Sequence, residues 1–204
     1  MHGAEATTMA TVGQRQGTRL RSWTKAEYYR MAEIGFFRGQ RVELLEGRIV
    51  VLSPQNAPHT LAVDRVLRTL SRFFGAGWWV RPQFPLDLGQ TSEPEPDVSV
   101  VLGEPDQFPT SHPTTAALIV EVSDTTISSD RRRKGSLYAR AGIQDYWIVN
   151  LVSRQLEVYR TPIPDPRRRF GHRYSLRADL LPTATVSPLA LLQAVIPVVD
   201  LLPA

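Results

Sequence analysis

The chain has 204 residues, of which 42% are hydrophobic and 22% charged, a balance that suits one soluble domain with a full-sized core. It has no cysteine, which excludes disulfides, thiolate zinc sites and a cysteine nucleophile, and points to a cytoplasmic protein. The formal net charge of +4 is modest for a dedicated DNA binder, although arginine is concentrated in two runs, Arg131-Arg132-Arg133-Lys134 and Arg167-Arg168-Arg169.

Residues 1–20 are small and polar, with no apolar signal segment, and are expected to form a disordered leader ahead of a single domain over 21–204. Ser22 or Thr24 is placed to cap a helix with apolar residues Tyr28, Tyr29, Met31, Ala32 and Ile34, ended by Gly35 and Gly39. "RVELLEGRIVVLSP" predicts a hairpin with its turn at Glu46-Gly47. From Pro58 to Phe74 the apolar residues Leu61, Val63, Val66, Leu67, Leu70, Phe73 and Phe74 follow the helical period, with Asp64, Arg65, Arg68 and Arg72 on the polar face.

"WWVRPQFPLDL" predicts one or two short strands, at an edge or a bend because of Pro82 and Pro85. Strands follow at Val98–Leu102 and in "ALIVEVS". Asp130 is expected to be the N-cap of a helix over Arg131–Ala141 that Gly142 closes. "DYWIVN" and "LEVYR" are the last predicted strands, and 161–173, with three prolines and an arginine run, is expected to be a loop. The apolar tail "PLALLQAVIPVVDLLPA" is broken by Gln193, Pro197, Asp200 and Pro203. It is too interrupted to span a membrane, and is expected to be a core helix or strand that closes the domain. The strand–helix–strand unit at 117–150 is long enough to join parallel strands. The sum is a mixed α/β sheet with a helix on each face.

Two carboxylates stand out. Asp97 immediately precedes the strand Val98–Leu102. Glu121 lies inside an apolar strand, where alternation puts Ile119, Glu121 and Ser123 on one face. If the two strands are neighbours, the acids meet at one edge of the sheet. Their repulsion would be resolved by a divalent cation, and hard oxygen ligands suit Mg²⁺ or Mn²⁺. Such an ion polarises a phosphoryl oxygen and makes hydroxide from water. Lys134, early in the next helix, can reach back and stabilise charge developing on phosphate. Each residue also has a plainer role: Glu121 paired with an arginine, Asp97 in a turn, Lys134 solvated. His59 suits a helix start, a hydrogen bond to a ligand, or a base. Tyr146 and Trp147 read as core.

The pieces "PD" at Pro96-Asp97, "EVS" at Glu121–Ser123, "VELLEGRIVVLSP", "LIVEVSDTTISSDRRRKGSLYARAGIQDYWIV" and "LEVYR" resemble the Uma-type family of restriction-endonuclease-like proteins, within the PD-(D/E)XK nuclease superfamily. The resemblance spans roughly residues 22–160. It implies a restriction-endonuclease-like mixed β-sheet core flanked by helices, with an N-terminal helix and β-hairpin. It also implies a Mg²⁺ (or Mn²⁺) site and a metal-dependent endonuclease acting on DNA. Carried over, Asp97 and Glu121 become metal ligands, with the Val122 carbonyl as a third and Glu43 completing the acidic cluster. Ser123 stands where the signature often has lysine, so Lys134 is the match, with Tyr138 one turn further along the same face. Arg131, Arg132 and Arg133 would track the nucleic-acid backbone. Cleavage of both strands by a single-site nuclease would favour a symmetric homodimer. The alternative is a catalytically silent nucleic-acid- or protein-binding member of the same fold. A carboxylate-pair glycosidase has no further support.

Overall fold

The structure is a computed structural model and describes residues 20–203. The leader expected over 1–20 falls, but for its last residue, outside the described residues. The first helix, α1 (Lys25–Glu33), starts at Thr24. Its side chain accepts the Glu27 N–H at 3.2 Å while the Glu27 carboxylate accepts the Thr24 N–H at 2.9 Å. This reciprocal capping decides between Ser22 and Thr24. Strands β1 (Val42–Leu45) and β2 (Arg48–Val51) pair antiparallel across Glu46 and Gly47, both at positive φ (51° and 69°), as a tight two-residue hairpin turn requires. Glycine is needed at 47 for a second reason, since a Cβ there would lie 2.5 Å from that of Ser22.

Helix α2 (Ala57–Phe74) is capped by Asn56 and buries Ala62, Val63, Val66, Leu70 and Phe74. It is followed by β3 (Trp78–Pro82), β4 (Val98–Leu102) and β5 (Leu118–Ser123). A helical run follows β5, made of α3 (Ile127–Ser129), a π-turn over Asp130–Lys134 and α4 (Gly135–Arg140). Then come β6 (Asp145–Asn150), β7 (Gln155–Pro164) and β8 (His172–Leu180). These six strands form one mixed sheet in the order β3-β4-β5-β6-β7-β8, antiparallel except for the parallel pair β5/β6. β3 is the edge strand that its proline suggested.

One face of the sheet packs Val98, Val100, Leu118, Val120, Val122, Trp147 and Val149 against α2. The other packs Ile119, Tyr146 and Ile148 against Tyr138 and Ala139 of α4. Strand β5 is therefore buried on both faces, as parallel strands usually are. Alternation does not put Glu121 in solvent. It assigns the residue to the α4 side of the sheet.

Three expectations are corrected. Asp130 is not an N-cap: the helical run begins at Ile127, and Asp130 sits inside it with φ −63° and ψ −43°. The loop expected over 161–173 is confined to 165–171: β7 continues through Pro164 and β8 starts at His172. Beyond Arg160, β7 pairs with β8 alone, so the N–H groups that Pro162 and Pro164 lack are not needed by β6. The tail is neither one helix nor one strand. Strand β9 (Thr185–Val186) precedes the tail, which forms its partner β10 (Ile196–Pro197) and a 3₁₀ turn over Val198–Leu201. Val198, Leu201 and Leu202 join the core cluster of α2, which is the closing role expected of the tail. Among the described residues no helix is long and apolar enough to cross a membrane.

Candidate active site

The antiparallel pairing of β4 with β5 runs from Val100 to Val98, and Asp97 is the next residue. Beyond that point β5 has lost its neighbour, and the Asp97 side chain takes the vacant place. Its Oδ2 accepts the Val122 N–H at 2.8 Å and lies 3.3 Å from His59 Nε2. Its Oδ1 is 3.4 Å from the amide of Gln83. The N–H and C=O of one strand residue point to the same side, so the Val122 carbonyl opens into the same space. Burial pushes the Asp97 carboxyl up, but His59, Lys134 and the Val122 N–H outweigh it and hold it below its ordinary value. Burial works against a charged His59 ring, and Asp97, Asp124 and Val122 raise it on balance.

Glu121 is buried beneath the helical run. Its Oε1 accepts two hydrogen bonds, from Lys134 Nζ at 2.9 Å and from the Tyr138 hydroxyl at 2.7 Å. The π-turn brings both donors to one oxygen. Its extra residue, closed by the Gly135 N–H on the Asp130 carbonyl, leaves Lys134 at the end of the turn and Tyr138 four residues on, on the same face. The Tyr146 hydroxyl also donates to that carbonyl, at 3.1 Å. Burial pushes Glu121 up to about 8, and Asp97 and Asp130 add to this against the pull of Lys134. Burial would lower Lys134, but Glu121, Glu43, Asp130 and Asp97 keep it well above the usual lysine range. One ammonium thus serves several acids.

Glu43 is buried. Its Oε2 is 3.9 Å from Lys134 Nζ and accepts the Glu95 N–H at 3.2 Å. Asp130 is also buried, with its carboxylate accepting the Thr126 hydroxyl at 2.6 Å. Ser123 Oγ lies 3.2 Å from the same hydroxyl, so it supports the turn and does not reach the acid pair. Asp97, Glu121, Glu43, Lys134, Asp130 and His59 all line one cavity of about 240 Å³. Two rim features escape sequence reasoning. Asn56, the α2 cap, donates to Asp124 at 2.6 Å across the mouth. Glu95 lines the wall, pushed up by burial and paired with Arg41 at 3.1 Å. The alternation in "EPEPD" was a usable signal, because residues two apart in an extended segment share a side.

The arginine run divides. Arg131 is turned away from the cavity and clamps Glu157 of β7, with Nε to Oε2 at 2.9 Å and Nη2 to Oε1 at 2.5 Å. Asn150 and Tyr159 also donate to Glu157. Burial would raise this carboxyl, but Arg131, Tyr159 and Asn150 hold it down to about 2. Arg131 is thus a structural clamp, contrary to its expected place on nucleic acid. Arg131→Ala should cost about 2 kcal/mol of stability at neutral pH, a buried-pair value discounted for the partial exposure of the arginine. Because the Glu157 carboxyl is held below its unfolded value, that contribution is present above pH 4.5 and lost as the pH falls toward about 2. Urea titrations of the variant and the intact protein at two pH values measure it.

The donors that a metal would meet in this cavity are all oxygen: the Asp97 and Glu121 carboxylates and the Val122 carbonyl, with Glu43 beyond Lys134. That chemistry would suit Mg²⁺ or Mn²⁺. Among the described residues no three acidic or imidazole side chains close on one point. The fit therefore depends on a main-chain oxygen as the third donor.

The family model described as "Uma2: Putative restriction endonuclease" matches residues 26–195. Among solved structures, the chain is similar to a protein described as "a putative nuclease belonging to DUF820" from Anabaena variabilis ATCC 29413. The TM-score is 0.58 at 15% identity, covering 79% of this chain and 89% of the other, a likeness of fold. No curated protein matches the chain.

Proposed function

The chain belongs to the Uma2 family, and we propose that it is a metal-dependent endonuclease that hydrolyses DNA phosphodiester bonds in the cavity at the end of β4. The observation that carries this reading is the convergence of Lys134 Nζ and the Tyr138 hydroxyl on Glu121 Oε1. It lies in the same cavity as an Asp97 held in place by the Val122 N–H. Asp97, Glu121 and the Val122 carbonyl would hold Mg²⁺ or Mn²⁺, which when bound supplies a Lewis acid for a phosphoryl oxygen and a lowered pKa for water.

The chain's own residues have distinct parts. Tyr138 fixes the Glu121 carboxylate, and the Val122 N–H with His59 fixes that of Asp97. Lys134 places a permanent positive charge where the equatorial oxygens of phosphate gain negative charge as water adds and the P–O bond breaks. Glu121 first and then Glu43 keep Lys134 protonated against its burial. The burial of Glu121, Glu43 and Lys134 strengthens these interactions.

Calorimetric titration of the intact protein with Mn²⁺ should give a binding isotherm that Asp97→Asn removes. A supercoiled plasmid should be nicked in Mn²⁺ or Mg²⁺ and spared in EDTA. Absence of both metal binding and cleavage in the intact protein would overturn the proposal.

A further inference from the structure

Most arginines on the sheet and helices are matched to carboxylates. Arg131 pairs with Glu157, Arg140 with Glu46, Arg160 with Asp145, and Arg167, Arg168 and Arg173 with Asp165. Arg48, Arg133 and Arg169 make no ion pair among the described residues. They come from three separate elements: the start of β2, the π-turn, and the connection between β7 and β8.

Specific contacts bring these elements together. Arg140, at the end of α4, donates from Nη1 to Glu46 Oε2 at 2.6 Å, which ties the helix to the β1–β2 turn. Its guanidinium carbon lies 5.8 Å from the ring centre of Phe170. Ser136 Oγ accepts the Phe170 N–H at 3.1 Å and donates to the His172 carbonyl at 2.8 Å, which docks the β7–β8 connection on α4. Arg133, Ser136 and Arg140 are three and four residues apart and share a helix face. Arg48 follows the turn that Arg140 holds, and Arg169 precedes the phenylalanine that Ser136 holds. The nearby acids are already engaged, Glu46 by Arg140 and Asp165 by three arginines. Burial, then Arg169, then Arg48 make the Arg133 charge harder to keep, and Glu43 at the cavity wall offsets part of this.

Folding therefore gathers three like charges that have no acid of their own beside the residue, Lys134, that enters the cavity. We propose that Arg48, Arg133 and Arg169 form a clamp for the DNA backbone, gripping a phosphate next to the one that enters the cavity. The clamp rests on the reading of that cavity as a phosphodiester site. Guanidinium forks match phosphate oxygens in pairs, and a polymer with closely repeated phosphates can meet Lys134 and the clamp together. A single small anion would not need cations from three elements.

The test is fluorescence anisotropy of a labelled DNA duplex in EDTA, so that binding is read without cleavage. The variants are the triple substitution Arg48→Gln, Arg133→Gln, Arg169→Gln, and Arg68→Gln on the exposed face of α2 as control. The triple variant should bind at least ~10-fold more weakly at low salt. Its slope of log affinity against log salt should fall by about one unit, because the clamp neutralises one phosphate. The control should change neither. The melting temperature of the triple variant should change little, because the repulsion removed is set against the Arg133–Glu43 attraction and the Arg169 contact with the Phe170 ring; a purely structural role predicts a fall.

An unchanged salt slope in the triple variant would overturn the clamp, as would no duplex binding by the intact protein. So would competition by inorganic phosphate as effective as that by DNA. Failure of the nuclease reading looks different: the binding pattern would hold, yet the intact protein would cleave nothing in Mg²⁺ or Mn²⁺.

Discussion

Glu121→Gln should abolish metal-dependent cleavage, by ~10³-fold or more, without lowering the melting temperature at pH 8. The amide keeps the shape of the carboxylate and an oxygen for Lys134 and Tyr138. It loses the charge that a cation needs. The stability claim follows from linkage. The Glu121 carboxyl is raised from 4.5 to about 8, chiefly by burial. The folded protein therefore holds a proton that the unfolded chain gives up across that interval. Its contribution is fully present below pH 4.5 and is lost as the pH rises to about 8, at up to about 1.4 kcal/mol per pH unit. Glutamine has no such proton to lose. The variant's stability curve should be flatter between pH 5 and 8, and near pH 8 the variant should be at least as stable as the intact protein. Lys134 keeps Glu43, Asp130 and Asp97 as counter-charges. Parallel thermal melts and plasmid-nicking assays across this range measure both effects. Full nicking by the variant would remove Glu121 from the chemistry.

Lys134→Met has the opposite stability signature. Methionine fills the space of the lysine stem but takes away the ammonium that Glu121 and Glu43 face at 2.9 and 3.9 Å. Removing one member of a buried ionic cluster leaves the others uncompensated, at a cost of about 3–5 kcal/mol. That cost should be largest at pH 8 and shrink as the pH falls. Without Lys134 the Glu121 carboxyl rises further, so acid neutralises it sooner. Cleavage should fall ~10²–10³-fold even where the variant is fully folded, because the charge that meets the developing phosphate charge is gone. Urea denaturation at pH 5 and 8, with nicking rates measured below the transition, separates the two losses. A variant as stable and as active as the intact protein would leave Lys134 as an ordinary solvated cation.

The two predictions divide a pair that the sequence presents as one motif. Strand alternation located Glu121 on the side of the sheet shared with Ile119, and the following helix was expected to carry Lys134. Nothing in the spacing showed that Lys134 would need a π-turn to reach Glu121. The extra residue in that turn is invisible to periodicity, since five residues of ordinary helix-forming type can close either way. The same turn explains the misplaced cap. Asp130 has the chemistry of an N-cap, and only its burial against Thr126 and Tyr146 shows that the run had already started.

The arginines show a second limit. Arg131, Arg132 and Arg133 are equivalent as text, and charge count alone suggested one shared role. What separates them is remote: Glu157 lies 26 residues after Arg131, while Arg48 and Arg169 bear on Arg133 as like charges from distant elements. Ion pairs form wherever folding brings opposite charges together, and sequence distance sets no bound on that.

By itself the sequence determined the hydrophobic periods, the Thr24-or-Ser22 start, the Glu46-Gly47 turn and the two acids on two separate short strands. These are local properties, set by backbone geometry and by which residues tolerate burial. Tertiary structure alone decided that the two strands are neighbours and that their ladder ends at the Val98–Val120 pair, so that the Val122 main chain is free to hold the Asp97 carboxylate. It also decided that Glu43 is buried against Lys134, and that one arginine of three is a clamp on Glu157. The physical reason is the same in each case. A buried charge takes its partner from whatever the fold brings within hydrogen-bond reach, and that is a fact of three dimensions.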